Sequence, residues 1–193
     1  VSGQPFYCAV LTCHPAAPCH VVQSVSACLQ SAPGGELTVD CSLRGDLGRL
    51  RLPSPAPPRR VDGLWAHTCF EIFVGLRDQS AYYEFNLSPS GEWAAYAFQG
   101  YRASAALDAP PTAPKIYARQ TEDTLALAAT LRLRELPLIA SHTPLMLGLA
   151  AVIEDATGAL SYWALKHAPG RPDFHHADAF ALTLPAIETW LSL

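Results

Sequence analysis

Apolar and polar residues alternate along most of this chain with a period of two. The runs are short and broken by turn-forming residues, the pattern of half-buried β-strands. The densest example is Leu64–Arg102, reading LWAHTCFEIFVGLRDQSAYYEFNLSPSGEWAAYAFQGYR, in which three apolar-rich runs are separated by two polar breaks. It predicts a three-strand antiparallel meander. In the first strand, Leu64–Val74, one face carries Leu64, Ala66, Thr68, Phe70, Ile72 and Val74, and the other Trp65, His67, Cys69, Glu71 and Phe73. In Ala81–Ser88, the apolar set Ala81, Tyr83, Phe85 and Leu87 lies opposite Tyr82, Glu84, Asn86 and Ser88. A one-residue slip would turn every side chain over, so the apolar faces must share one core. That match brings Glu71 near Glu84, and Tyr82 near Phe73, on the polar side. Pro and Gly in Ser88-Pro89-Ser90-Gly91 supply the restricted and the positive φ of the second turn. A tight reversal there sets Trp93, Ala95 and Ala97 of the third strand, Glu92–Gln99, beside Asn86, Glu84 and Tyr82. The result is a floor of small residues bordered by aromatics and carboxylates, a surface suited to a small polar ligand.

The same reading extends over the rest of the chain. Phe6–Thr12 is a candidate edge strand. Val21–Gln30 and Glu36–Arg44 flank Pro33-Gly34-Gly35 as a hairpin, and a short strand is expected at Arg49–Leu52. Pro53–Arg60 holds four prolines and reads as an extended loop. Lys115–Gln120 and Thr124–Leu133 make another hairpin, with Leu125, Leu127, Ala129, Leu131 and Leu133 as a core row. Leu145–Glu154 and Leu160–Lys166 pair around Asp155-Ala156-Thr157-Gly158. Ala179–Leu184 closes the sheet, and Pro185 starts a short terminal helix ending near Leu193. About eleven strands with frequent turn signals mean an all-β antiparallel sandwich or jelly roll. At 193 residues, with no internal repeat or linker, residues 1–193 read as a single ligand-binding domain.

Composition narrows the function classes. Half of the residues are hydrophobic and 16% are charged, which excludes general disorder. A net charge of −4 with no basic stripe argues against nucleic acid as a partner. No run approaches the roughly 18 apolar residues of a membrane span. The opening Val-Ser-Gly-Gln-Pro does not read as a secretory signal, so a cytoplasmic location is the expectation. All six cysteines lie within the first 70 residues. A disulfide framework is one reading, but a domain this apolar does not need staples, and reduced thiols are expected. A zinc site from Cys8, Cys13, His14, Cys19 and His20 would lack the C-x2-C knuckle of structural zinc sites. The sequence leaves the oligomeric state open.

Trp65, Glu71, Phe73, the run Tyr82-Tyr83-Glu84-Phe85, Pro89 and Gly91 follow a pattern of roughly W-x5-E-x-F, then YYEF-x-x-x-P-x-G. In this the chain resembles the DOMON-like superfamily, which includes the family 9 carbohydrate-binding modules and haem- or sugar-binding domains. More narrowly it looks like bacterial stand-alone members of unassigned function. Tyr162-Trp163-Ala164 and Phe180-Ala181-Leu182 look like the closing strands of the same fold. The resemblance implies a β-sandwich with a ligand site on a concave sheet or its rim, although a shared fold does not fix the ligand. Relatives often carry acidic residues just after the first Trp, where this chain has Ala66, His67 and Thr68.

The expected function is therefore non-catalytic binding of a small, polar, carbohydrate-like ligand. Trp65 and Trp163 are the candidates to stack on a sugar ring, against the alternative that either packs in the core. Glu71, Glu84, Asn86 and Arg102 are the candidate hydrogen-bonding groups, with Tyr82 and His67 beside them. Paired carboxylates also resemble a glycosidase acid/base pair, but no nucleophile elbow, triad order, phosphate loop or cofactor fingerprint accompanies them. The loop Ala168–Asp178 adds His175 and His176 as ligand contacts. Adjacent histidines on an extended chain point to opposite sides, so the two would rarely bind one ion together. No cofactor is predicted. The alternatives are a metal ion, with a metal-dependent or carboxylate hydrolase as its function, or a haem held by Met146 and a histidine, as the resemblance allows.

Overall fold

The computed structural model describes residues 6–107, 111–139 and 142–191. Twelve strands appear among these residues: β1 Phe6–Cys13, β2 Val22–Ala32, β3 Glu36–Gly45, β4 Cys69–Leu76, β5 Tyr82–Leu87, β6 Trp93–Gly100, β7 Ala103–Ala105, β8 Lys115–Gln120, β9 Thr124–Arg132, β10 Leu145–Glu154, β11 Leu160–Ala164 and β12 Leu182–Leu184. Their ladders are antiparallel, in the order β7-β6-β5-β4-β10-β11-β1-β2-β3-β9-β8, with β12 paired to the start of β10. The expected all-β sandwich is the observed one.

The path folds into two layers at β1. Residues Phe6–Leu11 pair with β2, whereas Thr12 and Cys13 pair with Ala164 and Trp163 of β11. One strand thus serves both sheets: Thr12 and Cys13 join them, while Phe6–Leu11, with β2 on one side only, form the expected edge strand. Between the layers lie the alternate residues of each strand, among them the predicted row Leu125, Leu127, Ala129, Leu131 and Leu133. Each leucine so buried contributes roughly 1.5–3 kcal/mol relative to exposure. A one-turn 3₁₀ helix, Ile187–Leu191, follows β12 and buries Trp190 in this core.

Four expectations are corrected. Leu64–Ala66 is a 3₁₀ turn, not the start of a strand; Gly63, with φ of 81°, turns the chain ahead of it, and β4 begins at Cys69. The Arg49–Leu52 strand is replaced by a 3₁₀ turn at Leu47–Arg49 and a lone bridge from Leu50 to Asp155. The third strand of the meander is shifted by one residue. Ser88 and Glu92 close a three-residue loop, Pro89-Ser90-Gly91, with Gly91 at φ of 92°, the hairpin that ends in a left-handed residue. Asn86, Glu84 and Tyr82 therefore face Ala94, Tyr96 and Phe98, while Trp93, Ala95 and Ala97 turn to the core. Finally, Cys8 and Cys28, directly opposite on β1 and β2, form a disulfide, whereas Cys13, Cys19, Cys41 and Cys69 are free thiols. Alternation alone does not reveal which cysteines share a rung.

Candidate functional site

The outer face of the second sheet carries its own apolar cluster. Phe73, Tyr82, Ala150, Val152, Ala164 and Phe174 form it, with Phe98, Tyr162 and Phe180 packed around them. Phe174 and Phe180 belong to the segment after β11, which folds back over the sheet. Their rings lie 6.5 and 5.9 Å from that of Phe73 in edge-on contact. Gly148 on β10 allows the close approach: a Cβ there would stand 3.2 Å from the Ala179 carbonyl oxygen and 3.3 Å from the Phe73 Cβ. Beside this covered half a cavity of about 570 Å³ stays open.

Its floor is set by strand register. Glu71 on β4 faces Asn86 on β5 and Ala150 on β10, and Glu84 lies between Phe73 and Tyr96. Small neighbours, Ala94 and Ala150, leave room above the acids. The walls are Trp65, Tyr96, Phe98, Tyr162 and Phe174, with Val152, Pro172, Arg102, Arg171 and His175 completing the lining.

A polar clamp fixes one side. Asp173 accepts from the Tyr101 hydroxyl (2.6 Å), from Arg102 Nη2 (2.9 Å) and from the His175 backbone N–H (3.1 Å). It so ties the covering loop to the β6–β7 turn. Arg102 sits at φ of 51°, a left-handed conformation costing a non-glycine residue roughly 1–2 kcal/mol. Its N–H donates to the Tyr82 hydroxyl oxygen (3.2 Å). That leaves the Tyr82 O–H free to donate to His175 Nδ1 (2.8 Å), and the ring proton then resides on Nε2, 3.6 Å from Glu84 Oε2. Burial, reinforced by the Arg102 charge, pulls His175 down to about 4, so the imidazole is neutral at pH 7. Asp173→Ala is expected to lower stability by about 2 kcal/mol, the scale of a lost hydrogen bond to a charged group. Urea unfolding measures it, and an unchanged midpoint would show that the clamp holds nothing.

The two acids are nearly inaccessible, each 4% exposed. Glu84 Oε1 accepts from Asn86 Nδ2 at 2.9 Å. Burial pushes the Glu84 carboxyl up to about 7 against the lowering effects of Asn86 and Arg102. Burial and then the neighbouring Glu84 charge raise Glu71 well above the carboxylate range, as two acids in one dry site must. Asn86 Oδ1 is buried with no hydrogen-bond partner among the described residues, and Glu71 lies directly across the ladder from it.

Of the residues predicted from sequence, Trp65, Glu71, Glu84, Arg102 and His175 line this cavity together. Asn86 lies beneath Glu84. Tyr82 stacks on Phe98 (ring centroids 4.8 Å apart, planes at 13°) and stands behind His175. There it borders a second cavity of about 290 Å³ that His175 and Met146 also line.

Three predicted residues are elsewhere. Trp163 is buried between the sheets, donating to Ser161 Oγ at 3.1 Å, so it cannot stack on a ligand in this cavity. His67 turns away to Glu154 (2.7 Å), a buried carboxylate also held by Arg51 (3.0 Å). His176 caps the short 3₁₀ turn Ala177–Ala179, its Nδ1 accepting from the Asp178 N–H. Met146 Sδ accepts from the Thr183 hydroxyl at 3.3 Å. Among the described residues, no three His, Cys, Asp or Glu side chains gather to hold a metal ion.

Tyr96, Phe98, Tyr162, Phe174 and Arg171 were not expected at the site. Tyr162 was within reach of the sequence, because Trp163 and Leu165 share the core side of β11 and leave Tyr162 facing out. Tyr96 and Phe98 were lost to the one-residue slip, and no sequence signal places the loop residues.

No protein-family model matches the chain, and no curated protein shows significant similarity to it. Solved structures do. A protein from Bacteroides uniformis, provisionally named as carbohydrate-binding, superposes with a TM-score of 0.64 at 16% identity, over 94% of this chain and 86% of the other. A family 9 carbohydrate-binding module from Caldicellulosiruptor kristjanssonii, solved with cellotriose, gives 0.53 at 11% identity, over 83% and 74%. The chain shares the fold of a family 9 module. At these identities the likeness is of architecture, and the cavity of this module-like sandwich is built from its own side chains.

Proposed function

We propose that the protein binds a saccharide, without transforming it, in the cavity over the outer face of the second sheet. The observation that carries this is the joint presence of aromatic walls and a recessed polar floor in one open hollow. A pyranose has just those two surfaces: an axial C–H face that packs on rings, and equatorial hydroxyls that need donors and acceptors. Trp65 offers the exposed ring face, while the Glu84 and Glu71 carboxyls and the His175 Nε2–H offer both hydrogen-bonding senses. The volume lies within the 300–1,000 Å³ range of small-molecule sites. The names of the structural neighbours, one of them solved with cellotriose, support the same reading. We further assign the chain to the DOMON-like superfamily, on the Trp65–Phe73 and Tyr82–Gly91 motifs together with this fold.

Calorimetry of the wild type and Trp65→Ala against a glycan panel tests the proposal. The variant is expected to bind at least tenfold more weakly. Its stability should change by no more than about 0.5 kcal/mol, because the ring is 56% exposed. Equal affinities would remove Trp65 from the site. A panel that yields no binding to the wild type would overturn the saccharide reading.

A further inference from the structure

Most charged groups around the cavity already have partners. Arg102 is compensated by Asp173 at 2.9 Å. Glu154, two residues beyond Val152 on β10, is matched by Arg51 and His67. Asp62 lies behind the wall, accepting from the Tyr96 hydroxyl at 3.1 Å. On the floor, burial raises both carboxyls, Glu84 to about 7, and pulls the His175 imidazole down to about 4. Arg171 is left. It lines the cavity and is exposed, and no ion pair or hydrogen bond engages its guanidinium among the described residues.

Its position is fixed by its neighbours. Gly170 takes φ of 100°, a turn open to glycine. Pro172 restricts Arg171 itself to an extended backbone. One residue further, Asp173 clamps the loop to Tyr101 and Arg102, and Phe174 then anchors it against Phe73. The Arg171 backbone is thus held at the mouth of an aromatic-walled hollow, with its side chain in the lining.

We propose that the cavity selects a saccharide bearing a carboxylate, a uronic acid, and that Arg171 is the specificity-determining residue. This rests on the saccharide reading above and adds the charge of the sugar to it. A guanidinium fork matches a carboxylate bidentately, and one uncompensated cation matches one negative charge.

The test is calorimetry at pH 6 with galacturonate, glucuronate and mannuronate trisaccharides, each beside its methyl ester, which keeps the shape and removes the charge. One acid is expected to bind at least tenfold more tightly than its ester. Arg171→Gln should bring that acid to the affinity of the ester; a matching melting temperature confirms that the variant is folded. Esters binding as tightly as acids, or a preference that survives Arg171→Gln, would overturn the assignment while leaving saccharide binding in place. If neither acids nor esters bind but neutral glycans do, the uronate inference falls alone. If no glycan binds, both readings fall.

Discussion

Phe73→Ala is expected to destabilise the protein by about 3–5 kcal/mol, the cost of truncating a fully buried Phe, and to lower its melting temperature by roughly 10 °C. Phe73 is wholly buried, yet it points away from the main core. Its ring meets those of Tyr82, Phe174, His175 and Phe180 at centroid distances of 5.2 to 6.5 Å. It is the peg on which the covering loop hangs. Removing it should therefore act twice, creating a void and releasing the loop that carries Arg171 and His175. Differential scanning calorimetry reads the first effect. Amide exchange across residues 167–181 reads the second, and protection equal to wild type there would show that the loop is held by Asp173 without Phe73.

Glu84→Gln should behave in the opposite way, by an amount that depends on pH. The Glu84 carboxyl titrates near 4.5 in an unfolded chain and at about 7 in the fold. Below pH 4.5 both states are protonated and the residue carries no ionisation cost. As the pH rises to 7 the unfolded chain ionises first, so stability falls, levelling off beyond the folded value. The gap corresponds to on the order of 3 kcal/mol. A glutamine keeps the acceptor for Asn86 and cannot ionise, and a neutral imidazole at His175 can present either nitrogen to its amide. The variant should match the wild type near pH 4 and exceed it in stability at pH 8. Urea midpoints at both pH values decide the matter: a difference that does not vary with pH would mean that Glu84 ionises as freely folded as unfolded.

How much of this was legible in the sequence depended on range. Strong alternation made the strands of the Val22–Gly45, Lys115–Arg132 and Leu145–Ala164 hairpins readable, because core and solvent faces are decided residue by residue. The pairing of Glu71 with the Glu84 row followed from the same rule. Reasoning failed where a loop, not a strand, sets geometry. The extra residue in the Pro89-Ser90-Gly91 loop reversed β6 and hid Tyr96 and Phe98. The left-handed Gly63 took Trp65 out of the strand, although the ring still reaches the cavity. Trp163 and Trp65 look alike as aromatic residues next to apolar ones, and only packing separates a core ring from an exposed one. Arg171 carries no periodic signal at all: its placement depends on the contacts of Phe174 with Phe73 and of Asp173 with Tyr101 and Arg102, partners over 70 residues away.

The strand shared by both layers leaves its mark on how the molecule meets its own kind. β1 continues one sheet into the next only through Thr12 and Cys13, so Phe6–Leu11, paired with β2 alone, form a rim on which Phe6 and Val10 are exposed. The ladder also ends at β7, only three residues long, and at β8, where Lys115 and Arg119 are exposed. Brevity at one margin and positive charge at the other are the usual deterrents to fibre-like stacking. Neither device guards the Phe6–Leu11 rim, where one-sided backbone pairing lies beside exposed apolar side chains.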